Sequence, residues 1–216
     1  IVERKSLKVV DYFDLNKLES KKHKKSKKIN ANVVIMAGGK GVRMQPITEI
    51  LPKPLIPINK KPIIQHIVEK FNKFGIRKFY VTINHKSHFI KAYFNEAKLK
   101  SRFNFITEAK PKGTIGGVRN LIKKIHKNFF LTNCDTLVNA DYDRILKKHI
   151  LEKNMITIVA VRKDYKIPYG TCVLNKSGYL KEILEKPMFK LNVNVGLYVL
   201  SHKVLSLIPS NGAFDI

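Results

Sequence analysis

Val33, Val34, Ile35, Met36 and Ala37 form an unbroken apolar run that leads directly into Gly38, Gly39, Lys40 and Gly41. A strand covered on one face alternates apolar with polar residues, so an uninterrupted run is expected where both faces are buried. Such a strand belongs inside a parallel sheet, and its carboxyl end here opens into a glycine loop. The chain then repeats the theme. Residues 63–74 carry Ile63, Ile64, Ile67, Val68, Phe71 and Phe74 at helical spacing, closed by Gly75. Strand-like runs at 78–83, 103–106, 129–132 and 155–161 alternate with helical patterns at 87–94, 113–125 and 141–153. Strand, helix, strand in this order implies an α/β fold with a mostly parallel sheet and helices on both faces. From Tyr169 onward the runs at 171–174, 179–184 and 192–200 are short and separated by turns, which reads as an antiparallel extension.

Composition narrows the partners. The 216 residues suffice for one substantial core. No apolar run reaches the roughly 20 residues that a bilayer span needs, so no membrane partner is expected. The start, Ile1-Val2-Glu3-Arg4-Lys5, lacks a signal-peptide pattern and reads as the middle of a longer protein. Cys134 and Cys172 offer neither a disulfide framework nor metal-ligand spacing, which makes the cytoplasm the expected compartment. The seven histidines show no ligand spacing either.

Lys and Arg number 42 against 16 Asp and Glu, a net charge of +26. A basic nucleic-acid-binding module is therefore one reading. Against it, the lysines are dispersed, and no basic stretch is interleaved with aromatics as single-strand binding surfaces are. Small anionic substrates account for the charge better. The one dense run, between Lys21 and Lys28, marks a basic linker over 21–31 with a separate short piece at 1–20.

The glycine loop can be tested by its spelling. A dinucleotide fingerprint needs a glycine where Met44 stands, and a Walker loop needs Gly-Lys-Ser/Thr where Gly41-Val42-Arg43 stands. Both are rejected. Beyond the loop comes a proline-stiffened stretch, Pro46, Pro52, Lys53, Pro54 and Pro57. Prolines fix φ, so Lys53 can be held beside the loop at low entropic cost. Arg43 adds a planar, permanently charged fork suited to phosphate. A plain Gly-rich turn leading into a Pro-rich surface loop explains the glycines but not these two cations.

The stretch from Met36 through Leu55 resembles the signature of the sugar-phosphate nucleotidyltransferases, and the likeness continues from Asn32 to the C-terminus. The resemblance implies a Rossmann-like (GT-A-like) domain over 32–216 that joins an NTP to a sugar 1-phosphate and releases pyrophosphate. It implies that Ala37, Gly38, Gly39 and Gly41 bind the nucleotide, with Gly38 and Gly39 against the base and ribose. Arg43 and Lys53 become the catalytic cations.

Further on, Gly113 and Thr114 precede a helical pattern, where they could cap a helix or face a nucleotide. By resemblance they and Glu108 belong to the base-recognition loop, and Glu108 could accept from a guanine edge. Asp135 comes after the run 129–132, where a carboxylate is placed to hold Mg²⁺ against a triphosphate. The resemblance makes it a metal ligand. Gly170, Glu185, Lys186 and Asn194 match the sugar-phosphate side: Glu185 and Asn194 for hydroxyls, Lys186 for phosphate, Gly170 for close backbone approach.

The family's second metal-binding acid lies well beyond a motif resembling Ala213-Phe214-Asp215-Ile216, so the domain is expected to be truncated and Asp215 is not assigned that role. Residues 1–20 resemble the end of a CBS domain. That combination occurs in guanylyltransferases of nonulosonate (legionaminic-acid-type) synthesis. A nucleotide sensor without turnover is a third reading, and a homo-oligomer is left open.

Overall fold

The structure, a computed structural model, describes residues 28–108, 113, 115–209, 212 and 214–216. The CBS-like stretch, most of the basic linker and Thr114 lie outside the described residues. Ile29, inside the stretch read as linker, is buried, and its N–H donates to the Phe74 carbonyl at 2.9 Å.

In chain order the strands are β1 (Asn32–Ala37), β2 (Pro57–Ile58), β3 (Lys61–Pro62), β4 (Lys78–Ile83), β5 (Arg102–Thr107), β6 (Phe129–Asn133), β7 (Ile156–Lys166), β8 (Thr171–Leu174), β9 (Leu180–Leu184) and β10 (Met188–Leu200). The helices are α1 (Ile47–Ile50), α2 (Ile63–Lys73), α3 (Ser87–Glu96), α4 (Tyr142–Leu151) and α5 (Val204–Leu207). The central sheet has six strands in the order β5-β4-β1-β6-β10-β7. β5, β4, β1 and β6 are parallel, and β10 is antiparallel to both of its neighbours.

Both faces of β1 are buried, as its unbroken apolar run requires. Val33 and Ile35 face one core with α2, α3 and α4, where Ile64, Val68, Phe71, Ile90, Phe94 and Ile145 pack. Val34 faces a second core with Val118, Leu121 and Leu205. On α2 the alternation of buried Ile63, Ile64, Ile67, Val68 and Phe71 with lysines follows the helical period. Phe71 stacks obliquely on Tyr142 with ring centroids 4.5 Å apart, joining α2 to α4. α4 starts where Asp141 accepts from the Arg144 N–H at 3.1 Å, a side-chain N-cap.

Two further features differ from the sequence reading. The helical pattern expected over 113–125 is a short 3₁₀ helix, Gly116–Leu121. Paired glycines weaken α-helix there, and Ile115, Val118 and Leu121, three apart and all buried, match the tighter period. The run 192–200 is also not confined to the extension. β10 starts at Met188, and its buried second half, Gly196 to Leu200, inserts between β6 and β7 in the main sheet. Its exposed first half pairs with the end of β7, and β8 and β9 form a separate hairpin beyond it. This is the antiparallel extension. Since β7 runs the same way as β6, the extension rises from the side of the sheet where the parallel strands have their carboxyl ends. Among the described residues no helix is long and apolar enough to cross a membrane.

One core residue makes stability pH-dependent. His149 on α4 is fully buried, with Nδ1 2.8 Å from the Thr157 hydroxyl and Nε2 without a hydrogen-bond partner. Burial pushes its pKa down from 6.5 to about 4. Between those values the unfolded chain binds a proton that the folded chain excludes, so stability falls as pH drops through this window. His149→Gln should flatten the pH dependence of the urea midpoint between pH 7 and pH 4. An unchanged slope would exclude His149 as its source.

Candidate active site

The carboxyl ends of β1, β4 and β6 lie side by side, with Ala37 opposite Ile83 and Met36 opposite Asn133. Loops leaving these ends are therefore brought together whatever their sequence separation. After Ala37 the chain reaches Gly41, which has φ of +70° and starts a 3₁₀ turn, Val42–Met44, carrying the exposed Arg43. The Thr48 hydroxyl, itself buried, donates to the Gly41 carbonyl at 2.9 Å. A Cβ on Gly41 would sit 3.0 Å from the Thr48 methyl and 3.2 Å from the Lys53 Cβ. This turn is closed by sterics and needs glycine.

Lys53 opens a second 3₁₀ turn, Lys53–Leu55, in which Pro54 and Leu55 are buried. Its ammonium forms an ion pair with the Asp135 carboxylate, 82 residues away in sequence. Both side chains remain about 30% exposed (28% and 30%), so the pair lies at the mouth of the site. The Thr136 hydroxyl reaches the other Asp135 oxygen at 3.4 Å. Cys134 beside it is buried, and burial, reinforced by the Asp135 charge, pushes its thiol up to about 12. It is a packing residue and not a nucleophile.

Glu108 lies beside the glycine cradle formed by residues 38–41. A Cβ on Gly38 would come 3.5 Å from one Glu108 carboxylate oxygen, and a Cβ on Gly117 would come 1.5 Å from the other. The carboxylate is therefore seated between two glycines that leave room for it. The Asn84 amide donates to the Glu108 carbonyl at 2.6 Å and anchors the start of that loop. A Cβ on Gly39 would meet open space, so nothing in the chain's own packing requires glycine there. Gly113 (φ +75°) lies against the backbone of Phe214, whose carbonyl accepts from the Ile115 N–H at 3.1 Å.

The residues read as sugar-side fall into two places. Asn194 lies where the β10 register shifts, its oxygen accepting from the Gly196 N–H at 2.9 Å and its amide donating to the Tyr198 hydroxyl at 2.7 Å. The Asn133 side chain abuts Gly196, which brings this bulge next to the loop of Asp135. Gly170, Glu185 and Lys186 sit at the base of the β8–β9 hairpin. There a Cβ on Gly170 would be 3.1 Å from a Glu185 oxygen, and Lys186 Nζ lies 3.7 Å from the other. Both charged side chains are mostly exposed.

Thr48, Asn84 and Asn133 were missed in the sequence reading. Their contacts to the cradle are made across loops and leave no spacing signal.

Asp135 is the residue read as a ligand for a divalent cation. Among the described residues no group of three or more His, Cys, Asp or Glu could hold a metal. Asp135 alone fits Mg²⁺ only where phosphate oxygens and water complete the shell, which is how Mg²⁺ is commonly held.

The family model described as "Nucleotidyl transferase" matches residues 32–212. The chain belongs to this family. It is 27% identical over 202 residues to the UTP–glucose-1-phosphate uridylyltransferase of Synechocystis sp., covering 85% of the chain and 52% of that protein. It is 31% identical over 180 residues to the mannose-1-phosphate guanylyltransferase catalytic subunit beta of Danio rerio, covering 80% of the chain and 50% of the relative. The D-glycero-alpha-D-manno-heptose 1-phosphate guanylyltransferase of Campylobacter jejuni is 28% identical over 174 residues, covering 80% and 77%. The chain thus spans about half the length of the first two of these relatives. Among solved structures, HddC from Yersinia pseudotuberculosis complexed with GMP-PN superposes with a TM-score of 0.67 at 27% identity, covering 86% of this chain and 82% of that one.

The closed turn at Gly41 yields a direct test. Gly41→Ala places a side chain in the left-handed region, at a cost of about 1–2 kcal/mol. It also presses on Thr48 and on the stem of Lys53. The melting temperature should fall by roughly 2–8 °C for a chain of this size, as read by calorimetry. A melting temperature equal to that of the unaltered chain would remove the constraint assigned to Gly41.

Proposed function

We propose that this chain is the catalytic part of an enzyme that transfers a nucleotidyl group from an NTP to a sugar 1-phosphate. The observation that carries the reading is the meeting of Lys53 and Asp135 at the mouth of the glycine cradle. Membership of the nucleotidyl transferase family and the activities named for its relatives support it.

In the proposed reaction a sugar-phosphate oxygen attacks the α-phosphorus in line, and the bond from that phosphorus to the pyrophosphate oxygen breaks. A phosphate monoester has its second pKa near 6, so the nucleophile is already ionised at neutral pH and no general base is required. The protein's task is positioning and charge neutralisation. Ala37, Gly38, Gly39 and Gly41 line the nucleotide with backbone, and Gly113 and Thr114 are assigned to it by the sequence resemblance. Arg43 neutralises the departing pyrophosphate, and Lys53 turns from Asp135 to the reacting phosphates. Asp135 would then hold Mg²⁺, which supplies further neutralisation of the triphosphate. Glu185 and Asn194 take sugar hydroxyls, Lys186 the sugar phosphate, and Gly170 admits the ring. The protein would work in the cytoplasm, with an NTP and a sugar 1-phosphate as its partners.

We assign the base as guanine. A carboxylate only accepts hydrogen bonds, and the Watson–Crick edge of guanine presents adjacent N1–H and N2–H donors. Uracil and thymine present one donor between two carbonyls. Glu108, seated between Gly38 and Gly117, has the matching chemistry, and the complex of HddC with GMP-PN supports the assignment. An amino-sugar phosphate such as glucosamine 1-phosphate as acceptor, and a CBS-type regulatory segment at 1–20, rest on the sequence resemblance.

A panel of NTPs and sugar 1-phosphates with pyrophosphate release as readout tests the activity. Arg43→Ala and Asp135→Asn should each lower kcat by about 10²–10³, the scale expected for removing a charge-stabilising group. Nucleotide binding with no release across the panel would overturn transfer and leave a nucleotide sensor. The base assignment has its own test. Gly117→Ala displaces the end of the flexible Glu108 side chain, so GTP should lose its advantage over UTP while the melting temperature changes little. A retained GTP preference would overturn the role of Glu108.

A further inference from the structure

Lys86, between β4 and α3, has no part in the proposed transfer, yet its side chain reaches back to the phosphate cradle. Its ammonium donates to the Thr48 carbonyl at 3.2 Å and to the Glu49 carbonyl. These belong to α1, a four-residue helix whose last carbonyls have no intrahelical partner. Leu51 N–H takes the Ile47 carbonyl at 3.0 Å, and Lys86 takes the next two. A cation at a helix C-terminus is also favoured by the exposed carbonyl dipoles.

The contact continues inward. Thr48 is 3% exposed, and its hydroxyl holds the Gly41 carbonyl. Gly41 starts the turn that carries Arg43, and the Lys53 stem packs on the same glycine. One path of hydrogen bonds therefore runs from Lys86 through Thr48 to the turn that sets both cradle cations. Lys86 itself adopts φ of 53°, a left-handed conformation that it shares with Lys60, Lys153 and Lys186, so the geometry of its ammonium and not its backbone carries the argument.

We propose that Lys86 is a positioning residue that locks the 41–53 loop in its triphosphate-binding shape, acting through Thr48. The inference rests on the cradle being the nucleotide site. It assigns Lys86 no contact with substrate.

The test is a comparison of Lys86→Met, Lys86→Arg, Thr48→Val and the double variant Lys86→Met/Thr48→Val, with Lys91→Met, at an exposed position of α3, as control. NTP affinity is read by calorimetry, and KM for each substrate by pyrophosphate release. Lys86→Met and Thr48→Val should each weaken NTP binding about tenfold, a size consistent with a small misplacement of phosphate-binding groups. The double variant should be little worse than either single change, because both cut one path. KM for the sugar 1-phosphate should stay within about twofold, a split that general loss of stability would not produce, and Lys86→Arg should recover most of the NTP affinity.

Unchanged NTP affinity in Lys86→Met, an equal rise in both KM values, or a double variant whose loss is the product of the two single losses would each overturn the proposal. If the unaltered protein binds NTP but releases no pyrophosphate, the transfer reading fails while the binding arm still decides the role of Lys86.

Discussion

The ion pair between Lys53 and Asp135 depends on more of the structure than any other contact in the site, although it contributes little to holding the structure together. A partly exposed pair of this kind stabilises a protein by about 1 kcal/mol at most. What keeps the two residues together is apolar. Pro54 and Leu55 are buried directly after Lys53, and Phe130 and Leu131 bury β6 just before Asp135. The β1–β6 register then fixes how far apart the two loops emerge. The core sets the geometry, and the charges occupy it. Under the proposed function the consequence is chemical: Lys53 occupies the carboxylate assigned to the divalent cation, so a triphosphate that drew the ammonium away would also make Asp135 available to that cation. Anion and metal would then favour each other's binding through a single shared lysine.

Much of this was legible in the sequence for a specific reason. The run Val33 to Ala37 is apolar on both faces, and only a strand between two layers tolerates that, so the sheet and its carboxyl-end loop could be read together. The glycine spelling excluded two other phosphate motifs on the identity of Met44 and Arg43 alone. The 3₁₀ turn Gly116–Leu121 was misread because apolar spacing of three serves both helix types, and the paired glycines decide between them. β10 was only partly legible. Its first half is exposed and its second half buried, so one strand carries two patterns and belongs to two places. The parts played by Thr48, Asn84 and Lys86 could not be read at all, because each acts on a backbone carbonyl that carries no residue identity.

The two sides of the site differ in rigidity for the same reasons. The side proposed to take the nucleotide stands on β1, β4 and β6, whose central residues are almost completely buried. Such elements open only at a cost near that of global unfolding. Gly170, Glu185 and Lys186 instead stand on a hairpin of two strands, β8 and β9, in which every residue of β9 is exposed. A two-stranded hairpin is marginally stable without a packed face. Its nearest ion pair, Lys186 with Glu185, is exposed at both ends and adds little. Asn194 stands between these regimes, since its bulge is tied by its own side chain to Tyr198 and pressed against Asn133 at the end of β6. On the proposed function, the free energy that holds the hairpin around a sugar phosphate would therefore come largely from that ligand, whereas a nucleotide would meet groups already fixed by the core. Binding energy spent on ordering does not appear as affinity, so the proposed sugar side is where a weak ground-state complex could coexist with close positioning at the reacting phosphorus.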